Sequence, residues 1–287
     1  MPACLTHTYF AKAVAQSLGE TGLENTPEYI WGAQGPDFLF CHRYFPWMKG
    51  RSLKEYGSRL HSEVKPSVTF SAMREFLSRH RDPGYRAYVT GFVCHYALDS
   101  TAHPYVNALA TELAAQRPWE TVNTMHGEVE ASLDAIILRR ETGMLPSQVN
   151  VKQMFPKNES ARRRIAKLYQ AVLLSACGED VPEGELLRAT NDAHFVFSLL
   201  NDRTGLKRQV FQRVEKGKPS LVTSHIVPIT EEDGVDFANI QHSPWEDPPS
   251  KQSFFDLFDQ AIELAKQLIT RFDTCDFAAL TGERPFG

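Results

Sequence analysis

Apolar residues recur at helical spacing along most of the chain. Phe10, Val14 and Leu18 follow at steps of four, with Thr6 placed to cap the segment and Gly19 to end it. In MHGEVEASLDAIILRRETG, Val129, Leu133, Ile136 and Ile137 form an apolar face. Arg139 and Arg140 suit the negative end of that helix, and Gly143 fits just past it. The pattern predicts further helices over 161–176, 185–200, 206–215 and 253–272. The fold class expected is all-α, with residues 1–287 as a single domain.

Two stretches break the period. Residues 30–47 are rich in Gly, Pro and aromatics and read as an ordered loop holding Asp37, with Trp31, Phe38, Phe40, Phe45 and Trp47 buried to wall it off from water. Residues 216–249 form a long irregular stretch interrupted by prolines, of the kind that is functional or packed over something. Between them, a helical pattern resumes at Ser52 and carries His61 in RSLKEYGSRLHSEV. Asp82, Pro83 and Gly84 signal a turn before the helix that follows.

That helix holds GFVCHYALDSTAHPYVN, residues 91–107, in which His95, Asp99 and His103 recur at steps of four. On an α-helix such steps place consecutive members about 40° apart, so all three can face one point. Pro104 disfavours helix at His103 and sets that residue at a frayed end. His126 and Glu130 form a second pair four apart. Taken alone, such residues suit a satisfied core network as well as metal ligation.

Composition narrows the partners. A hydrophobic fraction of 42% with 23% charged residues provides for a large core, and a net charge of −4 argues against a surface built to neutralise duplex phosphates. The basic run Arg162 to Arg164 is short. Five cysteines without CxxC spacing, no secretory leader and no membrane-length apolar run point to a reducing, cytoplasmic setting. No amphipathic helix with a basic face stands out, so a membrane substrate would be reached by loops, or the substrate would be a soluble diester. His-Glu-x-x-His, Glu-x-x-His, His-Asp, the P-loop, GxSxG and GxGxxG are all missing. His42, His80, His194, His225 and His242 are expected to be ordinary hydrogen-bonding residues, and Asn201 to Arg203 to cap a turn.

The order of the remaining candidates, His7, Asp37, His61, His95 with Asp99, His103, and His126 with Glu130, resembles the zinc-dependent phospholipases C and the related single-strand nucleases. The opening MPxxxTH, GxxGPD, HYALDSTAHPYVN and the later Asn239, His242 and Trp245 are similar to the bacterial, leaderless branch of that family. The resemblance implies a helical domain holding up to three Zn²⁺ in a cleft, with all eight of those side chains as ligands and Asp99 shared between two ions. Asp37 would also orient or deprotonate the attacking water. Pro2, exposed by removal of Met1, would stand in for the N-terminal ligand of secreted members. The implied substrate is a phospholipid or small phosphodiester, reached through a possible peripheral membrane contact; a single-strand nuclease and a silent, metal-stabilised binding protein are the alternatives. The chain departs from the secreted pattern in Leu98 and in the short step from Asp99 to His103.

Overall fold

Asp82 and Pro83 open the longest element of the molecule, a helix of 34 residues around which the others gather. In the computed structural model, which describes residues 3–229, 234–246 and 248–287, the helices are α1 (Cys4–Leu18), α2 (Pro27–Ala33), α3 (Lys54–Ser58), α4 (Pro66–Arg79), α5 (Pro83–Gln116), α6 (Val122–Thr142), α7 (Glu159–Cys177), α8 (Glu183–Leu200), α9 (Leu206–Val214), α10 (Phe254–Thr270) and α11 (Phe277–Thr281). Among the described residues there is no strand, and an isolated bridge pairs Trp245 with Ser250. The all-α expectation holds.

α5 packs against α1, α2, α6 and α10. Apolar side chains gather on both sides of it. One group centres on Trp31, Phe38, Phe70, Phe92 and Tyr169. The other joins Phe10, Val14, Leu98, Val129 and Phe258. The crossing of α2 over α5 is made through glycines: a Cβ at Gly32 would run into the Tyr88 carbonyl, and one at Gly91 into that of Tyr29. This backbone contact lays the Gln34 to Asp37 turn directly on the middle of α5.

Several expectations are corrected. α5 does not fray at His103; it runs through Pro104 to Gln116. Proline gives up one helical hydrogen bond, to the Ser100 carbonyl, at a cost of about 3 kcal/mol. Burial of Tyr105, Val106, Ala110 and Leu113 beyond it offsets that loss. α1 starts at Cys4, so Thr6 lies inside it. Its first N–H groups are satisfied from a distance, by the Asp134 carboxylate, which accepts from Leu5 N at 3.2 Å and Thr6 N at 2.7 Å. Residues 30–33 belong to α2, capped by Thr26 with Pro27 at its first position. Trp31 and Phe38 are buried as expected, but Trp47 is 71% exposed and stacks on Phe45. An amphipathic helix with basic flanks does exist, as α9. Among the described residues no helix is long and apolar enough to cross a membrane.

Candidate metal centre

His95, Asp99 and His103 project from one stripe of α5, and Asp99 lies among four imidazoles. Its Oδ1 is 3.1 Å from His7 Nε2 on α1 and 3.8 Å from His103 Nε2. Its Oδ2 is 3.0 Å from His95 Nε2 and 4.0 Å from His61 Nε2. Asp37, in the turn laid on α5 by α2, has Oδ1 3.0 Å from His61 Nε2 and 3.9 Å from His95 Nε2. On the other side, Glu130 Oε1 on α6 meets His126 Nε2 at 3.3 Å and His103 Nε2 at 3.5 Å. Three groups result: His7, His95 and Asp99; Asp37, His61 and His95; His103, His126 and Glu130. His95 presents one Nε2 to two of them and can serve only one at a time.

The rings are aimed by what their other nitrogens touch. His61 Nδ1 is 2.7 Å from the Gly57 carbonyl, His103 Nδ1 is 2.5 Å from the Phe286 carbonyl, and His126 Nδ1 is 2.9 Å from Asn107 Oδ1. Oxygen acceptors of this kind require the proton on Nδ1, which leaves the Nε2 lone pair facing the carboxylates in a neutral ring. His61 sits in a π-helical turn, Arg59–Glu63, that follows α3 directly. Its widened ring of hydrogen bonds turns the side chain inward, a use of such turns common at functional sites. Gly35, at φ +52°, lies flat against the His95 ring, and a Cβ there would overlap it.

A segment far along the chain completes the centre. Phe286 N donates to the His61 carbonyl at 3.0 Å. Its buried ring packs 5.3 Å from that of His61 and 6.0 Å from that of His95. Tyr96 holds the same segment through the Arg284 carbonyl. Beside it opens a cavity of about 880 Å³ lined in part by Asp99, His103, Tyr105, Trp245, Arg284 and Phe286.

The charges follow from the neighbours. Burial opposes ionisation of Asp37, yet His95 and His61 outweigh it and hold the carboxyl down at about 2. Asp99 is likewise held well below the usual carboxylate range, against burial, by His95, His103 and His7. Burial disfavours protonated His103, but Asp99 and Glu130 lift it to about 9.

The donor set fits a zinc ion. Zn–N and Zn–O distances near 2.0–2.1 Å in a tetrahedron put neighbouring donors roughly 3.3 Å apart. The closest pairs here span 3.0 to 3.9 Å. Both nitrogens of buried His95, and Nδ1 of buried His7, have no hydrogen-bond partner. A core network that satisfied itself would not leave such atoms orphaned.

All the expected ligands but one are thus brought together; Pro2 lies outside the described residues. The five histidines expected to be ordinary belong to none of the three groups and are bonded: His42 to Leu53 N, His80 to the Phe76 carbonyl, His194 to that of Phe155, His225, which lies near Glu130 and His126, to Ser224, and His242 to the Lys251 carbonyl. The aiming groups Asn107 and Phe286, and Asp134 that anchors α1, were not foreseen. Asn107 stands in the quoted 91–107 block and could have been suspected; Phe286 carries no local signal.

Comparisons with curated proteins and with solved structures return no match. A family model described as zinc dependent phospholipase C matches residues 6–192, which include all eight candidate ligand side chains but not the Phe286 segment. The family is one of zinc-dependent phosphodiester hydrolases. By that match, extending over well more than half of its length, the chain belongs to the zinc-dependent phospholipase C family.

Proposed function

We propose that the protein hydrolyses a phosphodiester, with a phospholipid or a small diester as substrate. The observation that carries the reading is Asp99, a buried carboxylate whose two oxygens face different imidazoles. Zinc would be held by His7, His95 and Asp99, by Asp37 and His61, and by His103, His126 and Glu130. Bound there, it would supply positive charge against the anionic phosphoryl oxygens and acidify a water molecule. Asp99 braces the histidines of three segments in one register. Asp37 is ionised, only partly buried, and engaged through Oδ1. Its other oxygen orients the attacking water and accepts its proton. The cavity beside Asp99 and His103 admits the diester, with Phe286 excluding water from the rear of the histidines. A single-strand nuclease would call for cationic walls. The wall here carries Glu112, Asp236 and Glu246 against Arg284, which favours a smaller diester.

The test is turnover of a chromogenic phosphodiester by purified protein, with and without chelator, alongside elemental analysis and thermal melting. Zinc in the protein and hydrolysis abolished by chelation are expected. Metal held a thousandfold above its Kd adds about 4 kcal/mol to the native state. Chelation should therefore lower Tm by roughly 7 °C for each ion so held. No zinc and an unchanged Tm would remove the centre; zinc without turnover would leave a metal-stabilised binding protein.

A further inference from the structure

α9 buries none of its residues. Leu206, Val210 and Val214 are 61%, 53% and 65% exposed. At 3.6 residues per turn, their steps of four confine them to roughly 80° of arc. Lys207 and Arg213, both exposed, flank that arc. The opposite side is pinned to the protein by Arg208, which pairs with Glu128 on α6, between His126 and Glu130, and donates to the Thr223 and Ile226 carbonyls. The apolar row is therefore held outward by the fold.

The charge around it is one-sided. Residues 203–221 hold six Lys and Arg and one acid, Glu215, in a chain whose net charge is −4. Glu215 is engaged by Val222 N and by Thr223. The apolar surface also continues beyond α9. Lys207 Nζ bonds the Leu199 carbonyl at the end of α8, where Leu199 and Phe195 are both 45% exposed. Phe195 meets Phe45, on which Trp47 is stacked.

We propose that α9, with the outer face of α8 and Trp47, docks on an anionic phospholipid surface. An exposed aliphatic row between lysines and arginines suits the boundary of headgroups and acyl chains, where apolar burial and attraction to anionic lipid add. The indole of Trp47 suits the same depth. A folded acidic partner would be met by a patch with fewer bare aliphatics and no protruding tryptophan. The choice of lipid rests on the phosphodiesterase reading, and it places that substrate in a bilayer beside α6.

Co-sedimentation of the full chain tests this, with vesicles of pure phosphatidylcholine and vesicles containing about one-third phosphatidylglycerol. Binding is expected to the second and to weaken with salt. Arg213→Gln, Lys216→Gln and Lys218→Gln together should cut the partition coefficient roughly a hundredfold, at roughly fivefold per cation. Val210→Glu should abolish binding, and Trp47→Phe should remove a blue shift of tryptophan emission on vesicles. None of these residues belongs to the metal centre, so zinc content and turnover of a soluble diester should be unchanged, which also certifies folding. Equal binding to both vesicles, no binding to either, or full binding by the variants overturns the proposal, as does capture of RNA in preference to vesicles. Sedimentation is read without turnover, so a failure of docking and a failure of catalysis are separate results.

Discussion

The central pair α5 and α6 and the outer helix α10 place polar residues in opposite settings. Residues 91–100 and 127–135 are each buried without a break, whereas α10 turns Leu257, Phe258, Ala261, Ala265 and Leu268 inward and leaves Asp259, Gln260 and Glu263 to water. A polar residue on α10 is therefore a solvated face. On α5 and α6, His95, Asp99, Glu130 and Asp134 have lost water on all sides and must find partners within the protein. Asp99 faces His95, Glu130 faces His103 and His126, and Asp134 takes the first N–H groups of α1, so the centre and its anchor are built from that need for partners.

The largest expected difference separates charge from packing. Asp99→Asn keeps the shape and removes the charge between four imidazoles. Phosphodiester turnover should fall at least about a thousandfold, near 4 kcal/mol in activation free energy, and elemental analysis should show at least one ion lost per chain. Leu257→Ala on α10 should cost roughly 2 to 5 kcal/mol of stability yet leave the zinc content of folded protein intact. If Asp99→Asn retains both turnover and metal, the two regions do not differ as described.

A smaller contrast is available between two glycines with positive φ. Gly35→Ala would force a methyl into the His95 ring, while Gly178, the C-cap of α7 at φ +72°, has nothing within 4 Å. Urea unfolding should register about 3 kcal/mol for the first, with zinc loss, and about 1 kcal/mol for the second. Equal costs would mean that the turn at Gly35 can retreat from His95.

The smallest effect is in pH. Burial lifts Asp134 to about 6, against the hydrogen bonds of Thr6 and Leu5. Its folded value exceeds the unfolded one of 3.8. Its contribution is thus complete below that pH and is lost as pH rises through about 6. Relative to Asp134→Asn, the metal-free protein should lose about 3 kcal/mol across that window. Asp256 on α10 has the opposite sign. The Ser253 hydroxyl and N–H hold it below its ordinary value, so its contribution is present above 3.8 and is lost as pH falls through the lowered value. Urea midpoints against pH for both asparagine variants decide it, and slopes of the same sign would contradict the assignment.

The same contrast governs what could be read in advance. α7, α8 and α10 show one face to water, so their apolar period predicts them within a few residues. α2 was lost in an aromatic-rich loop because its contacts with α5 run through glycines, which leave no hydrophobic signature. The break expected at Pro104 was a local rule overruled by burial further along α5. Of the eight candidate ligands, His95, Asp99, His103, His126 and Glu130 stand out by their steps of four on two helices, whereas His7, Asp37 and His61 come only from the order of residues that the family resemblance supplies. Phe286 and Asp134 act through a carbonyl and through helix N–H groups, for which any sequence offers candidates. α9 is expected over 206–215 and observed over Leu206–Val214, but its basic, outward amphipathic face is hard to read because the apolar row is three residues long and the basic flank continues past the helix end.

The bonds from His103 to Phe286 and from Tyr96 to Arg284 close loops of 183 and 188 residues. Closure of such long loops is costly in chain entropy, and contacts of that separation form late. During folding, α5 can therefore pack with α1, α2 and α6 while His61 and His103 still swing freely, and the last event locks their rings. Metal capture would then finish the folding reaction rather than nucleate it. Refolding with zinc present should speed recovery of the native state little, and should chiefly slow its subsequent unfolding.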